Sequence, residues 1–304
     1  MAISEQWGEL LEPGLRTIFS TTYSALAASS RIPMLFNQMG SQKANEYFLG
    51  IGGFGDWEQY KGSIEYDDPE QGFKTTLTHQ EFAKGFKVER KLVDDDLYNI
   101  INMRPQGLAT TAVRTREKHA ASIFNNAFTA AYAGGDAVAL CGAHPFSPSN
   151  ASTQSNTGTT ALSYDAVVAT RALMRAYKDD RGELISINPD TIVVPPELEK
   201  TANEIVNTMN GIAPQKPNTT DFADNFVARK GIDYVVWDYL TDANNWFLVD
   251  SVLAKMHLLW LDRVNIEFAM DPASDFNLEA KYRGYMRYSY GWSDWRFVYG
   301  HNVT

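Results

Sequence analysis

The chain has 304 residues, 44% of them hydrophobic and 21% charged, and a formal net charge of −10, a soluble balance with enough length to bury a core in two lobes. Such acidity repels nucleic acid instead of condensing on it, and a single cysteine, Cys141, excludes an internal disulfide and a cysteine-rich metal site. Glu5, Glu9 and Glu12 interrupt the start where a secretory signal places its apolar region, and no run of the ~18 apolar residues needed to cross a bilayer occurs; the expectation is a soluble protein made in a reducing cytoplasm.

Residues 1–45 read as an arm. Trp7, Leu10 and Leu11 mark a short helix stopped by Pro13-Gly14, and Leu15, Ile18, Phe19, Tyr23 and Leu26 form a second stripe at helical spacing. So small a helical pair does not fold alone, and it must dock on its own body or on a neighbouring chain. From Glu46 to Leu92 glycines punctuate the chain, and two extended runs, YFLGI and FKVERKL, are expected to pair antiparallel. Between them aromatics (Phe54, Trp57, Tyr60, Tyr66, Phe73) mix with charge (Asp56, Glu58, Lys61, Glu65, Asp67, Asp68, Glu70). A connection this long marks a functional flap or an extended arm, and two strands alone are marginal in water. The flap therefore needs support from another subunit, or it serves as a lid over a pocket; Trp57, Tyr60, Phe73 and Phe86 are the residues expected to bury against a neighbour.

Asp94-Asp95-Asp96 opens a short helix with Leu97, Ile100 and Ile101, its acids at the end that the helix dipole favours. The stretch from 105 to 133 is the predicted spine of the molecule. Pro105 suits a first helical position and Gly134-Gly135 an ending. In between, Leu108, Ala112, Ala120, Ile123, Phe124, Ala127, Phe128 and Ala131 recur at three- and four-residue spacing. At about 1.5 Å per residue this is a rod roughly 43 Å long, with a shallow alanine-rich stripe that suits lying across a sheet. A Ser-, Thr-, Asn- and Pro-rich loop follows from Cys141, and its Asn150-Ala-Ser is a chance glycosylation match in a chain without a secretory signal.

Ser163 is the predicted cap of a helix carrying Ala166, Ala169, Leu173, Met174 and Tyr177. Thr191–Val194 is a β-branched strand, after which Pro195-Pro196 turns the chain into a helix bearing Leu198, Ala202, Ile205, Val206 and Met209. Residues 211–224 read as loop. Short strands are expected at 226–228, 234–237 and 246–249, with a further one within 257–268. Near the end, Tyr282, Met286, Tyr288, Tyr290 and Trp292 alternate with Arg283, Arg287 and Ser289, and Trp295, Phe297 and Tyr299 mark a last strand.

Little of this resembles catalytic chemistry. The five histidines are scattered without metal-ligand spacing, and no phosphate-binding glycine loop with its lysine is present. Cys141 and His144 are close enough for a nucleophile–base pair, but Pro145 and the loop setting argue against it. Asp94-Asp95-Asp96 diverge around a helix and suit solvent better than a metal. Lys84, Lys87, Arg90 and Lys91 form a basic cluster flanked by Glu81, Glu89 and Asp94, suited to ion pairs within the surface or to an acidic neighbour. The C-terminal aromatics suit a sheet packed on the spine, with a sugar-stacking face as the alternative. No catalytic, cofactor or metal residue is assigned.

Three stretches occur together in order: DDDLYNIIN leading into the long helix and a His-Pro loop, DDRGELISINPDTIVVPPELEKTANEIV, and RYSYGWSDWRFVYGH. In this arrangement, across nearly its whole length, the chain resembles the major capsid proteins of tailed bacteriophages, especially the Mu-like major head subunit group. The resemblance implies the α+β capsid fold of phage Hong Kong 97. Its parts would be an N-terminal arm (1–45), an extended hairpin loop (46–92), a peripheral domain (93–190) with the spine helix at 105–133, an axial domain (191–275), and strands returning to the peripheral domain (276–304). It further implies a shell of pentamers and hexamers enclosing double-stranded DNA without specific nucleic-acid recognition, no membrane and no cofactor, assembled in the host cytoplasm. A separate scaffolding protein, a portal and decoration proteins are the implied partners, since the chain begins almost at the arm. Candidate interface residues are Trp57, Tyr60, Phe73, Phe86 and Arg90. The rival readings are an encapsulin-type compartment holding cargo enzymes and an oligomeric enzyme or sugar-binding protein with a hairpin lid.

Overall fold

The computed structural model describes residues 7–57, 59–62, 64, 66, 68–95, 99–208, 224–271 and 279–304. In chain order the first elements are α1 (Trp7–Ala27), α2 (Ile32–Leu35), β1 (Asn37–Gly40), β2 (Asn45–Ile51), β3 (Gln71–Thr78), β4 (Gln80–Glu89), α3 (Arg90–Asp94) and α4 (Ile100–Asn125). Next come β5 (Ala143–Pro145), β6 (Thr153–Ser155), β7 (Thr157–Gly158), α5 (Tyr164–Arg175), β8 (Thr191–Val194) and α6 (Glu199–Asn207). The last are α7 (Phe226–Arg229), β9 (Asp233–Val236), β10 (Trp246–Val249), α8 (Ser251–His257), β11 (Leu258–Met270), β12 (Glu279–Trp292) and β13 (Val298–His301).

Two larger sheets carry the molecule. One runs β1-β11-β12-β4, antiparallel except for the β1–β11 pair; the other runs β7-β13-β10-β8-β9. The spine α4 packs against both. Its small side chains Ala109, Ala112, Ala120 and Ala121 are buried, which brings the helix backbone close, while Ile123 and Phe124 fill the space between the sheets. Two adjacent spine residues hold different parts of the chain. Arg116 makes a bidentate ion pair with Asp262 of β11 at 2.8 and 3.0 Å, its guanidinium over the rings of Trp260 and Tyr288. Glu117, buried, accepts from the backbone N–H of Arg31 at 3.1 Å, from Trp237 Nε1 at 3.0 Å and from the Ser30 hydroxyl.

The spine starts and stops earlier than its glycines and proline suggest. It begins at Ile100 after Asn99, which takes the left-handed conformation (φ 55°) that asparagine tolerates, and Pro105 lies inside it. It ends at Asn125 because asparagine side chains compete for backbone partners. Asn126 Nδ2 donates back to the Ser122 carbonyl at 2.8 Å, and Asn125 is tied sideways to Tyr239 and Thr241. Its 26 residues span about 39 Å.

Several local expectations are corrected. Pro13 does not stop the first helix. α1 runs through it, held from outside by Leu15 and Phe19 against Phe268 and Tyr282, and by the Tyr282 hydroxyl, which donates to the Gly8 carbonyl at 2.8 Å. The arm thus docks on its own body. Residues 226–228 belong to the helical turn α7, because Asn225 accepts from the N–H groups of Val227 and Ala228. YFLGI pairs with Gln71–Thr78, and the FKVE of the second run pairs instead with β12, where Phe86 stands opposite Tyr282. Ile100 and Ile101 belong to the spine itself; Asp96 and Leu97, Met209, and the expected loop from 211 as far as 223 lie outside the described residues. Each of the segments 191–275 and 276–304 contributes strands to both larger sheets. β11 joins β12, whereas β13 pairs with β10 beside β8.

Ser163 caps α5 by accepting from Ala166 N–H, and 191–194 forms a buried strand, as the sequence suggests. The C-terminal aromatics are core. Tyr282, Tyr288, Trp295 and Phe297 are all buried, and burial pushes the Tyr282 phenol up to about 12.

Candidate assembly surface

The flap leaves the body at two adjacent points, Ser41 after β1 and His79 before β4. Between them β2 and β3 pair antiparallel, with Tyr47 opposite Thr76 and Phe48 opposite Thr75. Side chains of successive strand residues point to opposite faces, so this ribbon has an inner and an outer side. Phe48 and Leu77 lie inward on Met39, Leu259 and Leu261. Gly291 permits that seat, because a Cβ there would come within 2.6 Å of the Leu77 side chain. On the outer side Tyr47, Leu49 and Ile51 are exposed, with Lys74 Nζ lying 4.3 Å above the Tyr47 ring.

Farther out, the ribbon is clasped by the turn after α5. Gly53 N–H donates to Asp180 Oδ1 at 2.9 Å, and Arg181 Nε donates to the Gly53 carbonyl at 2.8 Å. A side chain at position 52 would collide with the Asp180 carboxylate, so the clasp depends on glycine. Beyond it Phe54, Trp57, Tyr60, Ile64 and Tyr66 are exposed, Trp57 at 99%. With Tyr47, Leu49 and Ile51 they form a run of eight large hydrophobic side chains left uncovered on one connection. Large apolar exposure of this kind marks an interaction surface.

The candidate interface residues separate on the structure. Trp57 and Tyr60 lie on the exposed flap. Phe73, half-buried on β3, lines a cavity of about 220 Å³ at the clasp with Asp136, Asp180 and Trp292. Phe86 belongs to the body, its ring against Phe268 and Tyr282, because β4 is a strand of the four-stranded sheet. Arg90 starts α3 and lies 3.9 Å from Asp94. Sequence reading did not assign Tyr47, Leu49 and Ile51; the alternation in NEYFLGI was the signal for them.

The tempting chemical pairs do not form. Cys141 is buried, its thiol pushed up by desolvation, while His144 is bonded to Asp136 and stacked on Trp295. Among the described residues no group of three or more His, Cys, Asp or Glu is placed to hold a metal ion, and no helix is long and apolar enough to cross a membrane.

The fold is that of virus-type shell proteins. The capsid of phage PhiM1 superposes with a TM-score of 0.58 at 10% identity, covering 91% of this chain and 87% of that one. The capsid of a native GTA particle gives 0.54 at 14% identity over 90% and 89%, and the virus-like particle from Pyrococcus furiosus 0.55 at 10% identity over 95% and 98%. A search of the curated proteins finds no match. The chain belongs to the phage capsid protein family, whose pattern it matches over residues 72–300. It is a structural protein of the virion, with the α+β capsid fold of Hong Kong 97 type.

Proposed function

We propose that this chain is the major head subunit of a tailed phage, in the Mu-like group, and that it closes into an icosahedral shell of pentamers and hexamers around double-stranded DNA. One observation carries the reading: a flap with a seated inner face and a bare apolar outer face, which a single copy leaves uncovered. Copies related by rotation make head-to-tail contacts that close into rings, so the bare face of one flap meets the next subunit around the ring. Each of Tyr47, Leu49, Ile51 and Trp57 contributes roughly 1.5–3 kcal/mol on full burial, and many such seams around a shell add up through avidity. The net charge of −10 keeps the wall from adhering to packaged DNA. The chain has a structural and not a catalytic role.

In the same proposal residues 1–45 serve as arm, 46–92 as hairpin loop, 93–190 as peripheral domain and 191–275 as axial domain, with 276–304 returning. A scaffolding protein, a portal and decoration proteins are its further partners. The likeness to a virus-like particle favours one second reading, a compartment of the same wall chemistry that holds cargo proteins. Purified particles separate the two: nucleic-acid absorbance inside intact shells supports a phage head, and co-purifying enzyme without DNA supports a compartment. Replacing residues 54–68 by a short Gly-Ser turn spares β2 and β3; the expected product is a folded subunit that forms no shells in electron micrographs. Normal shells from it contradict the role given to the flap.

A further inference from the structure

The root of the flap contains a buried histidine, His79, with one ring nitrogen left without a hydrogen bond. β3 buries Thr75 and Leu77 on its inner side, over the end of β12, and His79, which follows it, is buried as well. His79 Nδ1 is buried without a hydrogen-bond partner, as is Ser289 Oγ on β12, while Arg287 Nε of β12 lies 3.7 Å from Glu81 Oε1 of β4. Buried polar atoms are almost always paired, and each unpaired one costs stability. The two points where the flap leaves the body are meanwhile joined to each other. His79 Nε2 lies 2.8 Å from Ser41 Oγ, and that hydroxyl donates to Glu46 Oε1 at 2.8 Å. Ser41 Oγ therefore accepts from His79, so the imidazole carries its proton on Nε2 and turns a bare Nδ1 lone pair into the seam.

We propose that this root is a proton-gated joint: protonation of His79 releases the seated flap and lets it swing about Ser41 and His79. A proton added at Nδ1 finds no acceptor. It also places a cation among Arg287 of β12 and Arg263 of β11, whose Nη1 donates to the Ser41 carbonyl at 3.3 Å. The nearby acids are engaged elsewhere: Asp262 holds Arg116, Glu46 on β2 takes the Ser41 hydroxyl and lies 3.8 Å from Lys43, and Glu81 on β4 lies 3.7 Å from Arg287. Desolvation first, then Arg287, partly offset by Glu46, with lesser opposed contributions from Arg263 and Asp262, holds the imidazole below the ordinary histidine range. The seated state thus binds the proton more weakly than the released one. Its stability is full above about pH 6.5, the ordinary histidine value, and is lost as pH falls below that.

The inference rests on the flap being the assembly element only for its consequence; the joint itself is tested on the full chain kept as free subunits. Hydrogen exchange of β2 and β3 amides, expressed as protection relative to intrinsic rates, is measured at pH 7.5 and 5.0. Protection is expected to fall in the wild type between those two values, because the released flap takes up the proton more readily than the seated one. His79→Gln, which cannot charge, is expected to keep its protection at both values. Protection unchanged by pH in the wild type, or an equal fall in His79→Gln, overturns the proposal. Should His79→Gln lose its fold, histidine NMR of the wild type decides. His79 titrating together with the flap amides supports the joint, and flap release while His79 stays neutral overturns it. Particle formation is scored separately, so absence of shells with a pH-gated flap counts against the shell reading alone.

Discussion

Glu117 is 5% exposed on the middle of the spine, with donors from the arm, from Trp237 and from Ser30 meeting its carboxylate. Glu117→Ala leaves those buried donors unmatched, and roughly 2–3 kcal/mol of unfolding free energy is expected to be lost, read from the midpoint shift in a urea titration at unchanged slope. His301 makes a second prediction at this scale. It stacks on Trp246, accepts from Thr160 N–H at Nδ1 and meets Thr170 at Nε2, and burial lowers its pKa to about 4. Because the folded value lies below the unfolded one, its contribution is full above about pH 6.5 and is lost progressively as pH falls toward 4. His301→Gln is expected to flatten that part of the stability–pH curve; an unchanged curve contradicts the assignment. Residue-scale features such as these were not legible beforehand. Nothing in the string around Glu117 shows that Arg31 and Trp237 converge on it, since those contacts exist only after the two sheets are placed.

At the scale of elements, periodicity was most informative where burial is one-sided. The spine, the capped helix after Ser163 and the strand 191–194 follow from spacing and caps. Boundaries set by a single proline or glycine did not. Pro13 and Pro105 lie within helices whose neighbouring residues Leu15 and Phe19, and Ile101 and Leu108, are buried in one core cluster, and the spine ends at an asparagine pair well before Gly134. Strand partners were the least legible, because YFLGI and FKVE are both extended and their pairing depends on where Phe86 finds aromatic neighbours. The ribbon β2–β3 leads to a third prediction. Tyr47→Ser, Leu49→Ser and Ile51→Ser together remove the bare outer face while sparing Phe48 and Leu77 beneath it. Near-ultraviolet circular dichroism and melting temperature are expected to stay close to wild type, with assembly abolished. A collapse of the melting transition instead means that this face supports the subunit's own fold.

Over the whole molecule, one antiparallel pair decides the architecture. β11 and β12 run side by side for most of their length, binding the end of the chain to β4 and, through Asp262, to the spine. The order of segments in the sequence resembled a shell protein well enough to anticipate this fold. It did not show that β13 joins the second sheet, because a four-residue strand carries no mark of its partner. What the single chain lacks is cover for its flap. Sedimentation velocity of the purified wild type beside a variant carrying Tyr47→Ser, Leu49→Ser, Ile51→Ser and Trp57→Ser tests that most directly. Rings or closed particles from the wild type and folded single subunits from the variant are the predicted result; a wild type that stays monomeric at all concentrations, or a variant that assembles as well as the parent, contradicts it.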